Sequence, residues 1–94
     1  MSVYSPRMVE AIGEIEGLVA GTSIASATAN VAISDLANKV RDDPELLGYV
    51  LFGTAMCLDL MVRMVADAEG MSASEARGRL FAAARATYGP DAAR

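Results

Sequence analysis

Residues 43–70 read DPELLGYVLFGTAMCLDLMVRMVADAEG, from Asp43 to Gly70. Asp43 is a strong helix N-cap, Pro44 suits the first helical position and Glu45 complements the positive end of the helix dipole. Nothing breaks the run until Gly70, a C-terminal stop, so a helix is expected over 44–69. It would be about 39 Å long at the standard rise. One face carries Leu47, Val50, Leu58, Met61 and Val65, with Cys57 close by, and is expected to face the core. The opposite face is polar only in its second half, where Asp59, Arg63 and Asp67 recur every four residues. Followed backwards, that face gives Met56, Phe52 and Tyr49. The spacing 49, 52, 56, 59, 63 alternates three and four and marks one seam. From about Leu46 to Leu58 the helix is therefore apolar all round and must be covered on every side. Either the first or second helix wraps over this half, or Tyr49, Phe52 and Met56 meet a second chain; an intertwined dimer would do both.

Reading outward, Ser72-Ala73-Ser74-Glu75 is a capping box that opens a helix over 73–88. Its expected apolar stripe is Ala76, Leu80, Ala84 and Tyr88, and Gly89-Pro90 ends it, leaving 90–94 as a loose tail. Upstream, a helix over about 6–20 carries Met8, Ile12, Ile15 and Val19 as a stripe flanked by Val9 and Leu18, with Glu10, Glu14 and Glu16 pointing elsewhere as a charged outer surface. Gly21 breaks the pattern, and Thr22 or Ser23 can cap a second helix over about 22–40. That segment is rich in Ala, Ser and Thr, which lets a neighbouring helix approach closely. No β-branched run with period two occurs. The expected fold is all-α: one domain over 1–94, a small four-helix bundle, dimeric.

Composition narrows function. The chain has 94 residues, a net charge of −4, and 53% hydrophobic residues. That apolar share is high for one small core, which favours self-association or a partner. Histidine is absent, so Ser–His and Cys–His catalytic pairs are excluded and the commonest general base is missing. Cys57 is the single cysteine, has apolar neighbours, and reads as an inert buried thiol. Asp42, Asp43 and Glu45 do not have the spacing of a calcium loop. No cofactor, metal or catalytic residue is expected. Met8, Met56, Met61, Met64 and Met71 read as core filler. The N-terminus has no apolar run with a basic flank, so the cytoplasm is the expected compartment. Arginine supplies seven of eight basic residues and alanine occurs 18 times, a bias typical of GC-rich genomes such as actinobacterial or phage ones.

Val65-Ala66-Asp67-Ala68-Glu69-Gly70-Met71-Ser72, followed by Leu80, resembles the centre of a helix-turn-helix DNA reader, with a small residue four before the turn glycine, then an apolar residue and a capping serine. The resemblance covers about 16 residues and implies that Arg77 and Arg79 would face DNA. Glu69, Ala76 and Arg79 depart from that pattern, and the net acidity opposes phosphate binding. A membrane hairpin, as in a phage pore-former, would use the uncharged stretch 17–34 and the apolar 46–58. Asn30, Asp59 and Arg63 make that insertion costly. The expected function is thus a small non-enzymatic, regulatory protein–protein interaction module of actinobacterial or phage type, with Tyr49, Phe52 and Met56 as its self-association interface.

Overall fold

The computed structural model describes residues 5–24 and 26–89, with the side chains of 23, 24 and 26 left aside; the expected tail 90–94 lies outside the described residues. Four α-helices follow one another: α1 (Pro6–Ile24), α2 (Ser26–Arg41), α3 (Pro44–Glu69) and α4 (Ala73–Tyr88). The fold is all-α, with no strand among the described residues. Two compact units divide the chain, Met1–Met56 and Cys57–Arg94, and α3 contributes residues to each.

In the first unit, Ser5 caps α1 by accepting hydrogen bonds at its Oγ from the backbone N–H of Arg7 (3.0 Å) and Met8 (3.3 Å). Asp43 does the same for α3, its Oδ1 accepting from the N–H of Leu46 at 3.2 Å. The core is small: Ala11 and Ile15 of α1 meet Leu46 and Val50 of α3, and Leu36, Val40 and Tyr49 pack against them. Met8 is buried as well. Both long helices bury a face displaced from the expected stripe. On α1 the fully buried residue is Ala11, while Ile12 and Val19 are exposed. On the first half of α3, Leu46 replaces Leu47. The cause is volume rather than hydropathy. Gly53 of α3 faces Met8 and Ile15, and a Cβ there would stand 3.2 and 3.1 Å from their Sδ and Cδ1 atoms. Small residues at Ala11 and Gly53 let the helices close on that side.

The expected break at Gly21 is also corrected. The helix runs on to Ile24, and Gly21 is buried where α2 approaches, with Thr28 and Ala32 about 3.5 Å from the place of its missing Cβ. A helical glycine costs roughly 1 kcal/mol, little enough for close packing to offset. Of the two expected caps, the Ser23 side chain lies outside the described residues, and Thr22 does not cap; its hydroxyl donates to the carbonyl of Leu18 at 2.8 Å, back into α1.

In the second unit, α3 ends at Gly70, whose φ of +67° is the left-handed conformation of a helix stop. The N–H of Met71 reaches the carbonyl of Ala66 at 3.0 Å, the long bond of a Schellman turn. Ser72 then caps α4, its Oγ accepting from the N–H of Glu75 at 3.1 Å. Val62, Ala66 and Ala76 form the core, with Val65 and Met71 against it. Here too the expected faces shift. Leu58 and Met61 are exposed, and of the stripe Ala76, Leu80, Ala84 and Tyr88 only Ala76 is buried. Ala66 and Ala76 meet beside the turn, and the larger Leu80 and Phe81 farther along α4 stay partly exposed.

Candidate interaction surface

The helix α3 carries more apolar surface than its neighbours cover. Leu47, Leu51, Phe52 and Met56 are exposed on its first half, and Leu58, Leu60, Met61 and Met64 on its second. Such a run on one helix is unlike the scattered single apolar residues of an ordinary surface.

Of the three residues expected at an interface, Phe52 is 37% exposed and Met56 42% exposed. Tyr49 is half-buried, its ring lying against the cluster of Ala11, Ile15, Leu46 and Val50. The helices of the chain therefore anchor Tyr49 and leave Phe52 and Met56 partly open. The same register continues in both directions through charged side chains. Glu45 lies one turn before Tyr49, and Asp59 and Arg63 follow Met56. Arg63 Nε donates to Asp59 Oδ2 at 2.9 Å, an exposed pair four residues apart. Glu45 lies 3.4 Å from Arg7 Nε.

Arg7 organises this end of α3. Its guanidinium donates to Asp43 at 2.6 Å and to Glu10 at 3.3 Å, besides facing Glu45. The hydrogen bond from Arg7, helped by the N–H of Leu46, holds the Asp43 carboxyl below its ordinary range, and the same bond raises Arg7. Asp43 thus fixes both the start of α3 and the start of α1. Its acidic neighbourhood is explained by this cation; among the described residues no group of three or more His, Cys, Asp or Glu is placed to hold a metal.

Two recesses accompany the seam. In the second unit an open apolar groove of about 200 Å³ lies between α3 and α4, lined by Leu58, Met61, Val62, Leu80, Phe81 and Ala84. Nothing in the sequence marks this groove, because Phe81 stands outside the stripe of Ala76, Leu80, Ala84 and Tyr88. In the first unit a polar cleft of about 470 Å³ runs between α1 and α2. Glu14, expected on an outer surface, accepts an exposed hydrogen bond from Lys39 across this cleft, which raises the Lys39 ammonium above its ordinary value. Glu16 is exposed, and Glu10 is engaged by Arg7.

Cys57 is half-buried on α3. Arg77 and Arg79 are both exposed on α4, and Arg79 donates to Glu75 at 2.9 Å. Comparison with known protein families, with curated proteins and with solved structures finds no match. By length and composition α3 alone, of the described helices, could cross a membrane, with a mean hydropathy of 1.6 over its most apolar stretch.

Proposed function

We propose that this chain is a small non-enzymatic interaction protein that works by pairing α3 with another helix, in the first instance α3 of a second copy. One observation carries the reading: Phe52 and Met56, a turn apart on the longest helix, remain 37% and 42% exposed, while Tyr49 beside them is anchored on the core. Aromatic residues and methionine are enriched at the centres of protein interfaces, and an anchored neighbour lowers the entropy lost on pairing. The apolar centre spans only about two helical turns, so an association on the order of micromolar is expected.

Light scattering over a concentration series tests this. The unaltered chain should pass from monomer to dimer in the micromolar range. Phe52→Asp should stay monomeric while keeping its helical circular dichroism. A folded Phe52→Asp dimer of unchanged strength would refute the reading.

The hydropathy of α3 favours a second reading, a membrane-inserted helix. Every 18-residue stretch of α3 contains Asp59. A carboxylate near a bilayer centre costs about 2.5–3.5 kcal/mol, which weighs against insertion. Flotation with lipid vesicles, or a requirement for detergent during purification, would favour insertion over pairing in water.

A further inference from the structure

We infer that two copies of α3 pair antiparallel, with Phe52 of each packed against Met56 of the other; this rests on the pairing reading above. The seam consists of Glu45, Tyr49, Phe52, Met56, Asp59 and Arg63, separated by four, three, four, three and four residues. These steps keep all six residues on one side of an α-helix. They also read the same in both directions, so reversing one helix places every seam position opposite another.

The chemistry along the seam selects that reversal. In a parallel, in-register pair each residue faces its own copy, which sets Glu45 against Glu45, Asp59 against Asp59 and Arg63 against Arg63. Three of six layers would then be like-charge contacts, and like-charge contacts disfavour a register. In the antiparallel pair the two central layers are Phe52 against Met56. Outside them the Tyr49 hydroxyl can donate to the Asp59 carboxylate, and at each end Glu45 meets Arg63. Every layer is complementary, and the arrangement is two-fold symmetric, as homodimers usually are.

The charged side chains needed are accessible. Glu45, Asp59 and Arg63 are 69%, 61% and 68% exposed. Beside the first half of the seam stand Gly48 and Ala55, the latter exposed, so no bulky side chain flanks Tyr49 and Phe52 on that side; farther along, the same flank carries Val62, buried against Ala76 of α4. Arg63 would lie between its own Asp59 and the opposing Glu45, and Glu45 between Arg7 and the opposing Arg63. Each end then becomes an alternating network of charges rather than an isolated pair.

Single-cysteine cross-linking tests the register in the full chain. With Cys57→Ser as background, Glu45→Cys and Arg63→Cys are prepared separately, one with an affinity tag, and oxidised alone and mixed. The mixture should form a disulfide-linked heterodimer at least tenfold faster than either variant forms a homodimer. Rapid homodimer formation by Glu45→Cys alone would establish the parallel register and overturn the proposal. A dimer in sedimentation equilibrium that gives no mixed cross-link would overturn the register while leaving self-association intact. A chain that sediments as a monomer throughout would remove the pairing reading and this register together. As an independent readout, Glu45→Lys and Arg63→Glu should each weaken dimerisation by roughly fivefold, the scale of exposed ion pairs present twice per dimer. A chain combining both reversals should pair more tightly than either single variant, the recovery being partial because Arg7 and Asp59 keep their charges.

Discussion

Filling Gly53 tests the packing that orients the seam. In an open helical position, Gly→Ala gains about 1 kcal/mol, because alanine loses less backbone entropy on folding. Gly13 is such a position, with nothing within 4 Å of an added Cβ. With a urea dependence near 1 kcal/mol per molar, roughly that of a small domain, Gly13→Ala should raise the unfolding midpoint by about 1 M. The same methyl at Gly53 would stand 3.1 Å from Ile15 Cδ1 and 3.2 Å from Met8 Sδ, inside ordinary van der Waals contact. Both neighbours must retreat by a few tenths of an ångström, and overpacking of this kind costs about 1–3 kcal/mol. Because both contacts are the ends of flexible side chains, the cost should fall near the lower limit and cancel the propensity gain. Gly53→Ala is therefore expected to leave the midpoint unchanged or slightly lower. Gly53→Val, adding two further carbons against the same wall, should lower it by at least about 1 M. Urea denaturation followed by far-ultraviolet circular dichroism, with Gly13→Ala as the parallel control, reads the difference. A Gly53→Ala midpoint raised as far as that of Gly13→Ala would refute a close approach of α3 to α1 at this glycine.

Other expectations address the remaining contacts. The Asp43 carboxyl is lowered by its bond from Arg7, so its stabilisation is complete above the unfolded carboxylate value and is lost as pH falls through the lower folded value. Acid titration of helicity should show the unaltered chain losing stability below about pH 4, while Asp43→Asn, weaker at neutral pH, changes less over that range. Gly70→Ala forces a side chain into a φ of +67° and should cost about 1–2 kcal/mol in chemical denaturation. Ser72→Ala removes the cap of α4 and should cost about 1 kcal/mol. Salt-sensitive retention on heparin, abolished by Arg77→Ala with Arg79→Ala, would establish nucleic-acid binding; the pairing reading expects no such retention.

The limits of α3 and α4 are legible in the sequence because their ends are written in specific chemistry. Asp43-Pro44, Gly70 and Ser72 each satisfy or stop a defined set of backbone groups, and the helices begin and end there. The border between α1 and α2 is not, since Gly21 looks like a breaker yet serves as a gap into which α2 fits. The buried face of α3 is not legible either, for a related reason. An all-round apolar helix offers hydropathy no preferred side, and the choice falls to Ala11, Gly53, Ala66 and Ala76, which act by being small. The seam of Tyr49, Phe52 and Met56 is visible from spacing alone. Its half-anchored state is not, because contact between Tyr49 and the core depends on which side of α3 meets α1. The groove beside Phe81 escapes for the opposite reason, as periodicity marks a stripe as apolar without saying whether anything covers it.

The bond between Arg7 and Asp43 joins positions 36 residues apart in the chain. Closing so long a loop forfeits chain entropy that no local turn of helix repays, and contacts of this reach are expected late in folding. The individual coils of α1 and α2 can wind within microseconds of their own accord, whereas the clasp waits for both to meet the front of α3. Refolding kinetics of Arg7→Ala should then show an unfolding limb that is faster and a folding limb that is nearly unmoved, the mark of an interaction fastened after the barrier has been crossed.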